Sequence, residues 1–150
     1  MLAFHGEPGL KELYLARVVT HREADELVQG IGWEDGKGCA IGCTLEVYSH
    51  AQYEIELGVP RVLAHLQDRI FEGLPRADAM LWPERFLDAI EPGADLSDVW
   101  PEFAIWLLVD PDHEPAAAIR RALAASVSMG GGREAAPWSR PSPMRWRQLD

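Results

Sequence analysis

Proline and glycine punctuate this chain at such short intervals that most of its helices must be short. Pro8, Pro60, Pro75 and Pro83 stand where apolar helical spacing begins, and Gly30, Gly58 and Gly73 stand where it ends. Proline lacks the N–H that a first helical turn leaves unused, and glycine takes the left-handed conformation that closes a last turn. The spacing of Leu10, Leu13, Tyr14, Val18, His21 and Val28 predicts a first helix over 8–29, or one broken at Thr20 by a capping box with Glu23. Ser49 reads as the N-cap of a short helix ending at Leu57. A helix over 60–73 follows, with Val62, Leu63, Leu66, Ile70 and Phe71 as its apolar stripe. Short helices are expected near 76–81 and 83–90. A central helix through Val99–Leu108 and a final alanine-rich one near 115–127 complete the series. Cys39–Val47 suits a short helix or a strand. No second convincing strand stands elsewhere to pair with it, which favours helix. The fold class is therefore mainly α, a compact bundle of about six to eight short helices.

Composition then divides the chain. Residues 1–126 carry 10 basic and 22 acidic side chains, a net charge of −12, whereas residues 127–150 carry a net +2. The expected organisation is an acidic helical domain, 1–127, and a flexible, disordered tail, 128–150, rich in Pro, Gly, Arg and Trp. An acidic domain repels nucleic-acid phosphates and suits a protein partner with a basic surface. In the tail, Trp138 and Trp146 beside Arg145 and Arg147 resemble a short docking segment. A homo-oligomer is an open alternative. No apolar run approaches the ~20 residues needed to cross a bilayer, so no membrane role is expected. The N-terminus has no secretory pattern, and the two cysteines, Cys39 and Cys43, lie too close together for a useful disulfide. Both readings point to reduced thiols and a cytoplasmic protein.

Gly36-Lys37-Gly38-Cys39-Ala40-Ile41-Gly42-Cys43 is the least ordinary stretch. Its glycines weaken a helix, so close packing or a ligand must compensate. Four readings compete. Lys37 with the Gly38 and Cys39 amides could hold an anion at a helix start, although the pattern is not a Walker A loop. Cys39 could be a nucleophile, with His21 or His50 as base and Asp25 orienting His21. Cys39, Cys43, His21 and His50 could hold zinc. In the plainest reading both cysteines are packing residues, and Gly38 and Gly42 admit a neighbouring aromatic such as Trp33. His65 reads as surface or boundary, and Asp68, Arg69 and Glu72 as a solvated, ion-paired face.

Ala24–Leu27, Gly36–Thr44, Glu56–Pro60 and Asp68–Pro75 resemble an uncharacterised family of short bacterial and phage-encoded proteins, over about residues 8 to 109. The resemblance implies a self-contained cytoplasmic domain and transfers no activity. A phage link would suit an inhibitor or adaptor in host defence. With no complete catalytic set, the expectation is a small acidic binding protein without a cofactor. The alternative is a small enzyme, or a ligand- or metal-binding protein, with its site around Gly36–Cys43, His21, Asp25 and His50.

Overall fold

The computed structural model describes residues 1–109. After a 3₁₀ turn at Ala3–Gly6 come α1 (Pro8–Glu23), the strands β1 (Trp33–Glu34) and β2 (Lys37–Gly38), and α2 (Ala40–Leu45). Then follow α3 (His50–Leu57), α4 (Arg61–Gly73), α5 (Arg76–Ala79), α6 (Trp82–Asp88) and α7 (Val99–Val109). The mainly helical class is as expected. The helix expected near 115–127 and the tail, with Trp138, Arg145, Trp146 and Arg147, lie outside the described residues.

The organising element is α2, whose six residues are all buried. It packs against α1, α3, α4, α6 and β2. Ile41, Cys43 and Leu45 join Phe4, Val18, Leu27, Tyr53, Leu57, Phe71 and Leu87 in one core. Two glycines let the chain come this close. A Cβ at Gly42 would lie 1.9 Å from the Gly32 carbonyl oxygen, and one at Gly38 would lie 2.4 Å from the same atom. The backbone of residue 32 therefore does most of the pressing expected of Trp33. The Trp33 side chain approaches the same two positions at 3.3 and 3.0 Å.

Three expectations are revised. First, α1 ends at Glu23, so neither the continuous helix to 29 nor the second helix 21–29 forms. The Thr20 hydroxyl donates to the Ala16 carbonyl within its own helix and caps nothing. Asp25 turns the chain with a positive φ of 57°. Leu27 then bridges to Gly38 in parallel, giving the segment an extended partner. Second, the glycine-rich loop contains an antiparallel hairpin, with Trp33 opposite Gly38 and Glu34 opposite Lys37. Asp35 and Gly36 both have positive φ, the two-residue turn that Asp-Gly favours. Third, Trp100 and Ile105 of α7 are 38% and 50% exposed, so that helix is not central to the core.

Elsewhere the local signals hold. The Ser49 hydroxyl accepts from the Gln52 amide, and Gly58 closes α3 in the left-handed conformation. The buried face of α4 is Leu63, Ala64, Gln67, Asp68 and Phe71. This is rotated from the expected stripe, since Val62 is 36% exposed. That rotation turns a carboxylate inward.

Candidate functional site

The inward carboxylate is Asp68, only 8% exposed. It borders a cavity of about 580 Å³ that is also lined by Gly32, Cys39, Tyr48, His50, His65, Arg69 and Glu72. Four segments build this site: the 30–32 loop, the start of α2, the 48–50 turn into α3, and one face of α4. His65, Asp68 and Glu72 share that face because three- and four-residue steps return to the same side of a helix.

The carboxylates are held from one side each. Asp68 Oδ2 accepts from the Tyr48 hydroxyl at 2.9 Å and lies 3.2 Å from His50 Nε2. Its Oδ1 is buried without a hydrogen-bond partner. Glu72 Oε2 accepts from the Gly30 amide at 2.8 Å. The Gln29 side-chain amide donates to the Phe71 and Leu74 carbonyls, fastening this loop to the end of α4. Tyr48 is seated by Gly32, where a Cβ would come within 2.7 Å of its ring. The His50 ring lies between two others, edge-on to Tyr48 at 5.1 Å and stacked on His65 at 3.9 Å.

Cys39 completes the group. Its sulfur and one oxygen each from Asp68 and Glu72 all lie within 4.8 Å of one another. Burial pushes the thiol up to about 12; Asp68 adds to that, through its charge and as a hydrogen-bond acceptor for the thiol, while the Gly42 and Ile41 amides oppose it. Burial also raises the Glu72 carboxyl above its ordinary value, helped by the Asp68 charge and opposed by the Gly30 amide. Burial lowers His50, and neighbouring His65 does so further, against the pull of Asp68. Burial penalises the charged form of each group.

The structure keeps together only part of the set that the sequence grouped. Cys39 and His50 both line the cavity, but among the described residues no hydrogen bond joins the Cys39 thiol to a histidine. A high thiol value is the opposite of an activated nucleophile. His21 sits elsewhere, with Nδ1 2.7 Å from Glu26 Oε2 and its ring edge-on to Trp33. Asp25 does not orient it and instead meets Arg76 at 3.3 Å. The Cys43 thiol is buried and donates to the Gly38 carbonyl at 3.3 Å. Among the described residues, the ligand-type atoms close enough to hold a metal ion are those of Cys39, Asp68 and Glu72, and not the Cys₂His₂ set. The anion reading loses its donors, because the Gly38 amide bonds to the Glu26 carbonyl and the Cys39 amide to those of Ile31 and Gly32. Lys37 is exposed on the hairpin.

Sequence reasoning missed Tyr48, Asp68 and Glu72. One signal was available: His65, Asp68 and Glu72 stand at i, i+3 and i+7 of the clearest helix. Asp68 and Arg69 are not the ion-paired face expected, since neither is among the Lys/Arg–carboxylate pairs of the described residues. Comparison with protein-family models, with curated proteins and with solved structures finds no match to this chain.

Proposed function

We propose that this protein binds one divalent transition metal ion of the zinc class, through Cys39 Sγ and the carboxylates of Asp68 and Glu72, and uses it on a small molecule taken into the adjoining cavity. The observation that carries this reading is the convergence of a thiol and two carboxylates within 4.8 Å of one another, with Asp68 Oδ1 buried and outside any conventional hydrogen bond. A buried acceptor without a partner costs about 1–3 kcal/mol, more when charged. All three groups become anionic ligands, and a cation is the partner that would satisfy all of them. Four-coordinate zinc with bonds of about 2.0–2.3 Å spaces its ligands roughly 3.3–3.8 Å apart, so these atoms need close by only about 1–1.5 Å. The sulfur donor disfavours calcium and magnesium, which prefer oxygen.

Three protein ligands beside a cavity match a site that keeps a coordination position open for water or substrate, whereas structural zinc sites close all four. Tyr48 and His50, both on Asp68 Oδ2, would fix that carboxylate so that Oδ1 faces the metal. The reaction class such a site suits is metal-assisted hydrolysis, with the metal lowering the pKa of a bound water. The reading from charge alone, contact with a basic protein surface, has no comparable convergence of side chains behind it among the described residues.

The test is metal analysis of full-length protein purified without a metal-affinity column. One equivalent of zinc is expected, strongly reduced in Cys39→Ser and in Asp68→Asn. Trace zinc that neither substitution changes would sink the proposal.

A further inference from the structure

We infer that the small molecule taken into this cavity carries an oxyanion, a carboxylate or phosphate group, held between the open metal position and the Arg69 guanidinium. The inference rests on the metal reading and adds the ligand's chemical class. Arg69 lines the cavity and lies between two acids in sequence, Asp68 and Glu72. Glu72, three residues on, is its natural partner on a helix. Yet Arg69 makes no ion pair among the described residues, whose Lys/Arg–carboxylate pairs involve Lys11, Arg22, Arg61 and Arg76.

Glu72 Oε2 is engaged by the Gly30 amide, and Asp68 Oδ2 by Tyr48 and His50. The remaining oxygen of Asp68 is buried. Arg69, a lining residue with no ion pair among the described residues, keeps its planar set of donors for a ligand. Guanidinium is suited to paired hydrogen bonds with carboxylate and phosphate oxygens.

Charge balance points the same way. A thiolate, two carboxylates, a divalent ion and Arg69 sum to zero, so the loaded site would not repel an anion as the acidic domain otherwise should. The metal and the guanidinium would form two positive poles, with the carboxylates masked by the metal. The cavity's volume of about 580 Å³ exceeds what a bare phosphate needs and leaves room for an organic body attached to the anion.

The experiment is calorimetric titration of zinc-loaded, full-length protein, freed of excess metal, with inorganic phosphate and separately with acetate. It is run on the wild type and on Arg69→Met, with zinc affinity measured independently for both. The expectation is zinc affinity in Arg69→Met no weaker than in the wild type and at least about tenfold weaker binding of whichever anion the wild type takes, the usual weight of a charge-assisted hydrogen bond. Preference for phosphate or for acetate identifies the class of oxyanion. A wild-type protein that binds zinc but neither anion overturns this inference and leaves the metal reading standing. So does an Arg69→Met variant that binds both anions as tightly as the wild type. Failure of the wild type to bind zinc overturns both.

Discussion

Replacing Asp68 with Asn should separate the stability of this fold from its proposed chemistry. Asp68 is nearly buried, and its carboxylate stands within 4.8 Å of the Glu72 carboxylate. At that distance two unit charges repel by about 3.5 kcal/mol at an effective dielectric of 20 and by about 0.9 kcal/mol in bulk water. Glu72 is exposed, so the lower half of that range applies, about 1–2 kcal/mol. Asparagine keeps one oxygen to accept from Tyr48, removes the charge, and can direct its amide toward the position of Oδ1. The metal-free variant should therefore be as stable as the wild type or more so, with a melting temperature raised by up to roughly 5 °C. Zinc affinity should move the other way. Loss of a hydrogen-bonding support behind a ligand costs 10–100-fold, so loss of the ligand should cost more than about 100-fold. Thermal unfolding with and without chelator, and competition against a chromophoric zinc chelator, read both quantities. A metal-free variant that melts several degrees lower would show that the carboxylate is a structural anchor. Undiminished zinc affinity would refute the metal reading.

Two further predictions address the frame around the site. Gly42→Ala places a methyl 1.9 Å from the Gly32 carbonyl oxygen, a backbone atom, so the cost should be at least about 3 kcal/mol by chemical denaturation. Gly9→Ala in α1, with nothing within 4 Å, should be neutral or stabilising by up to about 1 kcal/mol and serves as the control. Burial pushes the Cys43 thiol up to about 12, with the Glu26 charge adding to this and the Gly38 backbone opposing it. Folding therefore favours the protonated thiol. Its contribution is complete below the unfolded value near 8.5 and is lost as pH rises toward 12, by up to about 1.4 kcal/mol per pH unit. Unfolding free energies measured between pH 8 and 10.5 should fall less steeply in Cys43→Ser than in the wild type, and parallel slopes would contradict this account.

What the sequence made legible was local. Ser49 caps α3 and Gly58 closes it because both act through their own neighbouring backbone. The packing role of Gly38 and Gly42 was also readable, since three glycines in seven residues demand compensation. The identity of the compensating group was not, because residue 32 presses with a carbonyl and a carbonyl has no sequence signature. Asp-Gly at 35–36 announces a hairpin only between alternating strands, and these strands are two residues long.

The site itself depended on one rotation. Had the expected stripe of α4 faced inward, Asp68 would have been solvated and Cys39 would have met only apolar neighbours. A buried Gln67 and Asp68 replace two positions of that stripe, and Asp68 borders the cavity. Apolar periodicity reads such a helix incorrectly where polar side chains are buried, since they occupy positions that the pattern assigns to solvent. The pairing of cysteine with histidine brought only His50 to the right cavity and missed the carboxylates. It sought residues of matching chemistry near one another in sequence, whereas Cys39 meets its carboxylates from a helix about thirty residues on, an approach fixed by how α2 and α4 pack.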